Sequence, residues 1–106
     1  MQYRQGDILI KKIDAVPDNC EEIYAIEGES KKGCLVLALG EATGHRHVIK
    51  SINALLMKKD NAFFLTILMP VKLTHEEHSA IELPIGNYQV IRQREYSPTQ
   101  IRWVAD

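Results

Sequence analysis

The amino-acid sequence predicts a small all-β protein, a single-domain barrel or sandwich of about seven to nine short strands. Short apolar runs alternate with turn residues along most of the chain. No segment keeps apolar residues at the helical positions i, i+3, i+4 and i+7 over three turns. A length of 106 residues suits one hydrophobic core, so residues 1–106 are expected to form one domain.

The predicted strands follow one another with turn signals between them. A hairpin is expected where the polar residues 58–61 separate two apolar runs, and Pro70 ends the second run. Residues 20–26 fit either a short strand or one helical turn. The predicted strands span residues 6–13, 34–39, 47–52, 54–57, 62–69, 71–74, 80–83, 88–96 and 101–104.

The charge balance argues against several classes of partner. The net charge is -1, so no basic field that would attract duplex DNA is expected. No apolar run approaches the length of a membrane span, and the first residues lack the apolar core of a signal peptide. We therefore expect a cytoplasmic protein. Its ligand would be a small molecule or a nucleotide, and a homodimer would form through an open sheet edge.

All four histidines of the chain fall in two short clusters, GHRH and HEEH. Side chains two positions apart on a strand point to the same face, so His45 and His47 can aim both imidazoles at one point. Gly44, immediately before them, allows a close backbone approach. His75 and His78 are three positions apart, and they converge only if the two glutamates between them form a bulge or a helical turn.

One hypothesis makes the two clusters a single transition-metal site. Neutral imidazoles suit zinc, nickel, iron or copper, and zinc is the metal we expect. With an open coordination position the metal would activate water for hydrolysis, and with a closed shell it would stabilise the fold. The ligands would be His45, His47, His75 and His78, with Glu41, Glu76 or Glu77 beside them.

The same residues fit a metal-independent phosphodiesterase, a hydrolase that acts on RNA or a cyclic nucleotide. One histidine would act as base and another as acid, while cations would stabilise the charge developing on phosphorus. In a strand over residues 88–96, two arginines and two tyrosines share one face, so that the arginines can grip a phosphate and the tyrosines can stack on a base. The catalytic set would be His45, His47, His75, His78, Glu76 and Glu77, and the ligand set would be Arg92, Arg94, Tyr96 and Gly44.

Two further interpretations involve no reaction. The histidine pocket can belong to a non-catalytic module that binds a small anion or a protein partner. Alternatively, the histidines cap turns or bond backbone carbonyls, Arg92 and Arg94 lie on a solvated strand face, and the glutamate pair lies at the surface. The placement of all four histidines in two clusters favours a site over scattered structural histidines.

The chain resembles a family of small uncharacterised bacterial and phage proteins. The resemblance rests on the motifs GE-x-TGH-x-H and HEEH-x-x-I-x-LP-x-G-x-Y-x-V-x-x-QREY. It implies that both histidine clusters are family features, and it implies no particular reaction. An HxH pair followed by a second histidine pair also resembles the cupin small barrels, which implies metal-binding strands facing a barrel interior. A cupin carries a glutamate shortly after HxH, whereas Val48, Ile49 and Lys50 follow here.

Overall fold

A computed structural model describes residues 1–39 and 45–93 of the chain. Within them it contains ten strands and no helix, which confirms the all-β prediction. Neighbouring strands pair antiparallel throughout. The strands are β1 (Gln2–Gln5), β2 (Ile8–Ile13), β3 (Glu21–Ile23), β4 (Leu35–Leu39), β5 (Arg46–Ile49), β6 (Ala54–Lys59), β7 (Ala62–Ile67), β8 (Val71–Leu73), β9 (Ile81–Leu83) and β10 (Gly86–Arg92).

Six of these strands form one sheet, in the order β1-β2-β10-β7-β6-β3. The other four form two hairpins, β4-β5 and β8-β9. Single bridges join these parts: Ala25, just after β3, bridges Val36 of β4, and Val48 of β5 bridges Thr74, just after β8. The described strands do not close into a barrel.

One hydrophobic core is shared by the six-stranded sheet and both hairpins. Strands β6 and β10 show the alternation that builds it, because Leu56, Tyr88 and Val90 are buried while their neighbours are partly exposed. Burial of a large aliphatic side chain stabilises the fold by about 1.5–3 kcal/mol. The fully buried aliphatic residues include Ile8, Ile10, Leu37, Ile49, Leu56, Leu65, Ile67, Leu73 and Leu83.

The chain begins with a hairpin where the sequence predicts one strand over residues 6–13. Gly6 and Asp7 form a two-residue turn between β1 and β2, and Gln5 lies opposite Ile8. Gly6 has a φ of 60°, which suits the first central position of a hairpin turn that glycine favours. The prediction missed β1 because this edge strand is mostly polar and exposed, and so carries little apolar signal.

Other predicted elements agree with the structure over the described residues. The hairpin expected at residues 58–61 is β6-β7, and Asp60 adopts a φ of 55° in its turn. The ambiguous segment at residues 20–26 contains the short strand β3. The predicted strand over residues 88–96 extends beyond β10 into residues that are not described, and the predicted strand at 101–104 lies wholly outside them. No helix able to cross a membrane occurs in the described part of the chain.

Candidate functional site

The two histidine segments lie side by side because Val48 and Thr74 exchange backbone hydrogen bonds. Each amide donates to the carbonyl of the other residue over 2.9 Å. The Thr74 hydroxyl also donates to the Val48 carbonyl over 3.1 Å. In an antiparallel pair, the residue before one partner faces the residue after the other. His47 therefore lies opposite His75, and their ring centroids are 4.4 Å apart.

The same register continues outward through the two glutamates of HEEH. The backbone amide of Arg46 donates to Glu76 Oε1 over 2.9 Å, and this hydrogen bond lowers the pKa of Glu76. His45 Nδ1 lies 3.8 Å from Glu77 Oε1. Glu76 thus bonds the start of β5, and Glu77 lies beside His45, just before that strand.

All four imidazoles meet in one cluster, with His75 in contact with each of the others. Its ring centroid lies 5.6 Å from that of His45 and 4.6 Å from that of His78. The rings of His47 and His78 are nearly parallel, at 16°, with centroids 6.1 Å apart. The structure therefore brings together the four histidines that the sequence singles out.

A bend after His75 solves the spacing problem of the second pair. His75 Nδ1 accepts hydrogen bonds from the backbone amides of Glu77, at 3.0 Å, and of His78, at 3.3 Å. The backbone is bent at residues 76–78 rather than extended or helical. This bend turns His78 back toward His75, which a strict strand would not do.

His47 is the buried member of the cluster, and Gln5 bonds to it. Its side chain lies 2.9 Å from Gln5, between Nδ1 and Oε1. The Gln5 amide nitrogen donates to the carbonyls of Leu73 and Ser79, each over 2.9 Å. Burial lowers the pKa of His47 from 6.5 to about 4, and the neighbouring His75 adds to this effect. His47 is therefore uncharged at neutral pH.

The β1-β2 turn forms the floor of the cluster. A Cβ atom added to Gly6 would lie 2.9 Å from His78 Nε2 and 3.2 Å from His47 Cε1, so a larger residue would require the His78 ring to move. The next residue, Asp7, places Oδ1 3.8 Å from His47 Nε2. Asp7 and the rings of His47 and His78 therefore all lie close to this turn.

Arg92 fixes the Asp7 carboxylate from the other side. Its Nε donates to Asp7 Oδ2 over 2.9 Å, one terminal nitrogen donates to the Glu27 carboxylate, and the other donates to the Leu39 carbonyl over 3.1 Å. Burial on its own would raise the pKa of Asp7, but the hydrogen bond and charge of Arg92 outweigh it and the pKa is lowered. The guanidinium is thus bonded within the protein, and a phosphate-binding role for Arg92 stays a prediction.

Several predicted site residues lie outside the described residues: Glu41, Gly44, Arg94 and Tyr96. Across residues 1–39 and 45–93, no three His, Cys, Asp or Glu side chains are arranged to hold a metal ion. The metal site, the phosphodiesterase, the ligand and the homodimer therefore stay predictions.

Sequence reasoning missed three site residues, Gln5, Gly6 and Asp7. A signal was present, since a Gly-Asp pair between a polar run and ILI fits a two-residue hairpin with glycine first. That signal predicts only the turn. The position of the turn beneath the histidines depends on tertiary contacts between β1, β5 and the 74–80 segment.

The fold and the site define a class: an antiparallel all-β protein whose four histidines gather over a hairpin turn. The chain belongs to the family described as Domain of unknown function (DUF8820), whose model matches residues 4–93. That match covers every described residue of the cluster. No curated protein and no solved structure matches the chain.

Proposed function

We propose that the protein binds a divalent transition metal ion, of which zinc is the leading example, at its histidine cluster. The observation that carries this proposal is the convergence of four imidazoles from two distant segments. His47 and Asp7 would be the fixed ligands, and His75 and His78 would complete the site. Imidazole nitrogen and carboxylate oxygen are both ordinary zinc ligands.

The pair formed by His47 and Asp7 supports a bound cation. Nδ1 of His47 is occupied by Gln5, so Nε2 is the ring nitrogen that faces the Asp7 carboxylate. The 3.8 Å between Nε2 and Oδ1 exceeds a hydrogen bond, and two metal bonds of about 2.0–2.2 Å each can span it at a wide angle. Arg92 bonds the other oxygen of Asp7, as outer partners of ligating carboxylates do.

Completion of the site requires a rearrangement of the second segment. His75 now uses Nδ1 to accept two backbone amides, which leaves the proton of its neutral ring on Nε2. His78 is exposed, so rotation of its ring displaces no core side chain. We propose that metal binding turns both rings toward the point between His47 and Asp7, and that residues 74–80 adjust around them.

The uncharged state of His47 favours a ligand over a general base. A metal ligand must be unprotonated, which a pKa of about 4 secures at neutral pH. A general base works best when its pKa lies near the working pH, and His47 lies well below it. Whether the bound ion then activates water depends on an open coordination position.

Elemental analysis of purified protein tests this proposal directly. We expect about one zinc per chain after loading and dialysis, its removal by chelation, and a stoichiometry near zero for His47→Gln. Glu82→Gln is the matched control, because Glu82 is an exposed β9 residue paired with Lys72 away from the cluster. Zinc binding by His47→Gln equal to that of the control would refute the proposal.

A metal-independent phosphodiesterase is a second candidate, and one observation favours it. The Nε2 proton of His75 and the Nε2 atom of uncharged His47 form a donor and an acceptor on rings 4.4 Å apart. Such a pair places an acid beside a base, although the pKa of about 4 makes His47 a weak base. This candidate expects cleavage of RNA or a cyclic nucleotide in EDTA, abolished by His75→Gln. Absence of cleavage in EDTA would reject it.

A further inference from the structure

Gln5 and His47 are the two buried polar side chains in the described part of the chain, with exposed fractions of 2% and 3%. Buried polar groups are costly unless hydrogen-bonded, and each bonds the other. Gln5 comes from the opening hairpin, far in sequence from every histidine. Its position raises the question of what it does to the ring that it contacts.

The orientation of the Gln5 amide is set by its two other contacts. Leu73 and Ser79 both present carbonyl oxygens to it, each at 2.9 Å. Carbonyls only accept, so the amide NH₂ must face them and use both of its hydrogens. A flipped amide would set three oxygens against one another. The Gln5 oxygen is therefore left to face His47 Nδ1.

We infer that Gln5 is a positioning residue that holds His47 as the Nδ1–H tautomer and so presents the Nε2 lone pair to the site. An oxygen acceptor at Nδ1 requires a proton there, and the neutral ring has only one. The inference rests on the proposed metal site for its functional meaning, because a metal at Nε2 needs that lone pair. Zinc-bound histidines are commonly oriented by such a partner on their other nitrogen.

The same amide also holds both ends of the bent segment. Leu73 precedes it and Ser79 follows it, while His75 and His78 lie between them. One side chain thus links the tautomer of His47 to the position of the two histidines that would join it. Gln5 acts through His47 and the segment, without reaching the proposed metal itself.

Long-range nitrogen–proton NMR of the metal-free protein tests the inference, since it distinguishes protonated from unprotonated ring nitrogens. In the wild type we expect the proton of His47 on Nδ1 and an unprotonated Nε2. A wild-type spectrum with the proton on Nε2 would overturn the inference outright, whatever the variants do.

Two substitutions separate positioning from simple structural support. Gln5→Glu and Gln5→Met both lose the paired donors to Leu73 and Ser79, so both should lose stability. Only the glutamate keeps an oxygen for His47 Nδ1–H. We expect His47 Nδ1 to stay protonated in Gln5→Glu, and the proton to shift toward Nε2 in Gln5→Met. The same protonation of Nδ1 in both variants would overturn the positioning role, and if Gln5→Met does not fold, loss of the Nδ1 proton in Gln5→Glu would do so.

This test stands apart from the test of metal binding because no metal is present. An Nδ1–H tautomer in a protein that fails to bind zinc would reject the proposed function and keep the role of Gln5. Zinc binding by a protein whose metal-free His47 carries the proton on Nε2 would keep the proposed function and reject the role of Gln5.

Discussion

Substitution of Gly6 by alanine should disturb the histidine cluster more than the fold. Gly6 has a φ of 60°, and a Cβ there would meet His78 Nε2 at 2.9 Å and His47 Cε1 at 3.2 Å. His47 is buried and held by Gln5, whereas His78 is exposed. The new methyl group should therefore displace His78 and leave His47 in place.

Gly28→Ala is a matched control for the stability cost of Gly6→Ala. An alanine with positive φ costs about 1–2 kcal/mol, and its less flexible unfolded chain returns part of this, so we expect a net loss of about 1 kcal/mol for Gly6→Ala. Gly28 has a φ of 74°, and its added Cβ would make only an ordinary 3.6 Å contact with Leu39. Gly28→Ala should thus lose similar stability with no effect on the histidines.

Urea denaturation of the metal-free variants measures the loss of stability, and calorimetric titration with zinc measures the effect on the histidine cluster. We expect similar unfolding free energies for the two variants, together with a fall in zinc affinity of about 10- to 100-fold in Gly6→Ala alone. Equal zinc affinities in the two variants would refute the reasoning that Gly6 leaves room for the rings. A much greater loss of stability in Gly6→Ala would show that His78 cannot move aside as its exposure implies.

Two further predictions concern stability. The folded pKa of His47, about 4, lies below its unfolded value of 6.5, so between these values the unfolded chain binds a proton that the folded chain does not. The metal-free protein should lose about 3 kcal/mol of stability as the pH falls through this window. The stability of His47→Gln should change little over the same window, and urea denaturation at several pH values measures both. Arg92→Leu removes hydrogen bonds to the carboxylates of Asp7 and Glu27 and should cost about 2 kcal/mol by the same assay, with an intermediate loss for Arg92→Lys. Full stability of Arg92→Leu would contradict a structural role for this ion-pair network.

Much of the fold could be predicted because its strands carry local signals. The apolar run before Gly40 became β4, and the polar turn at residues 58–61 joined two strands as expected. Strand β1 was missed because an exposed edge strand needs few apolar residues. The local sequence could not show which strands become neighbours, since β10 pairs with β2 from the other end of the chain.

The candidate site, like the fold, could be predicted where the sequence carries a local signal and not where it depends on tertiary contacts. Clustering pointed to the histidines, and the two-residue spacing predicted that His45 and His47 share a strand face, whereas His45 comes just before β5, which begins at Arg46. The pairing of Val48 with Thr74, which aligns GHRH with HEEH, is a tertiary contact without a local signal. The roles of Gln5 and Asp7 depend on that contact, so they became visible only in the folded chain. For Arg92, the alternation along the strand predicted which face of the sheet carries its side chain. Its ion pairs with Asp7 and Glu27 became visible only in the structure.

The most direct test of the proposed metal site is a crystal structure of the zinc-loaded protein with anomalous scattering recorded at the zinc edge. We expect one peak within about 2.2 Å of His47 Nε2 and Asp7 Oδ1, with rings from the 74–80 segment turned toward it. A strong peak elsewhere, or none at this point in a fully loaded crystal, would contradict the claim that GHRH and HEEH form one metal site.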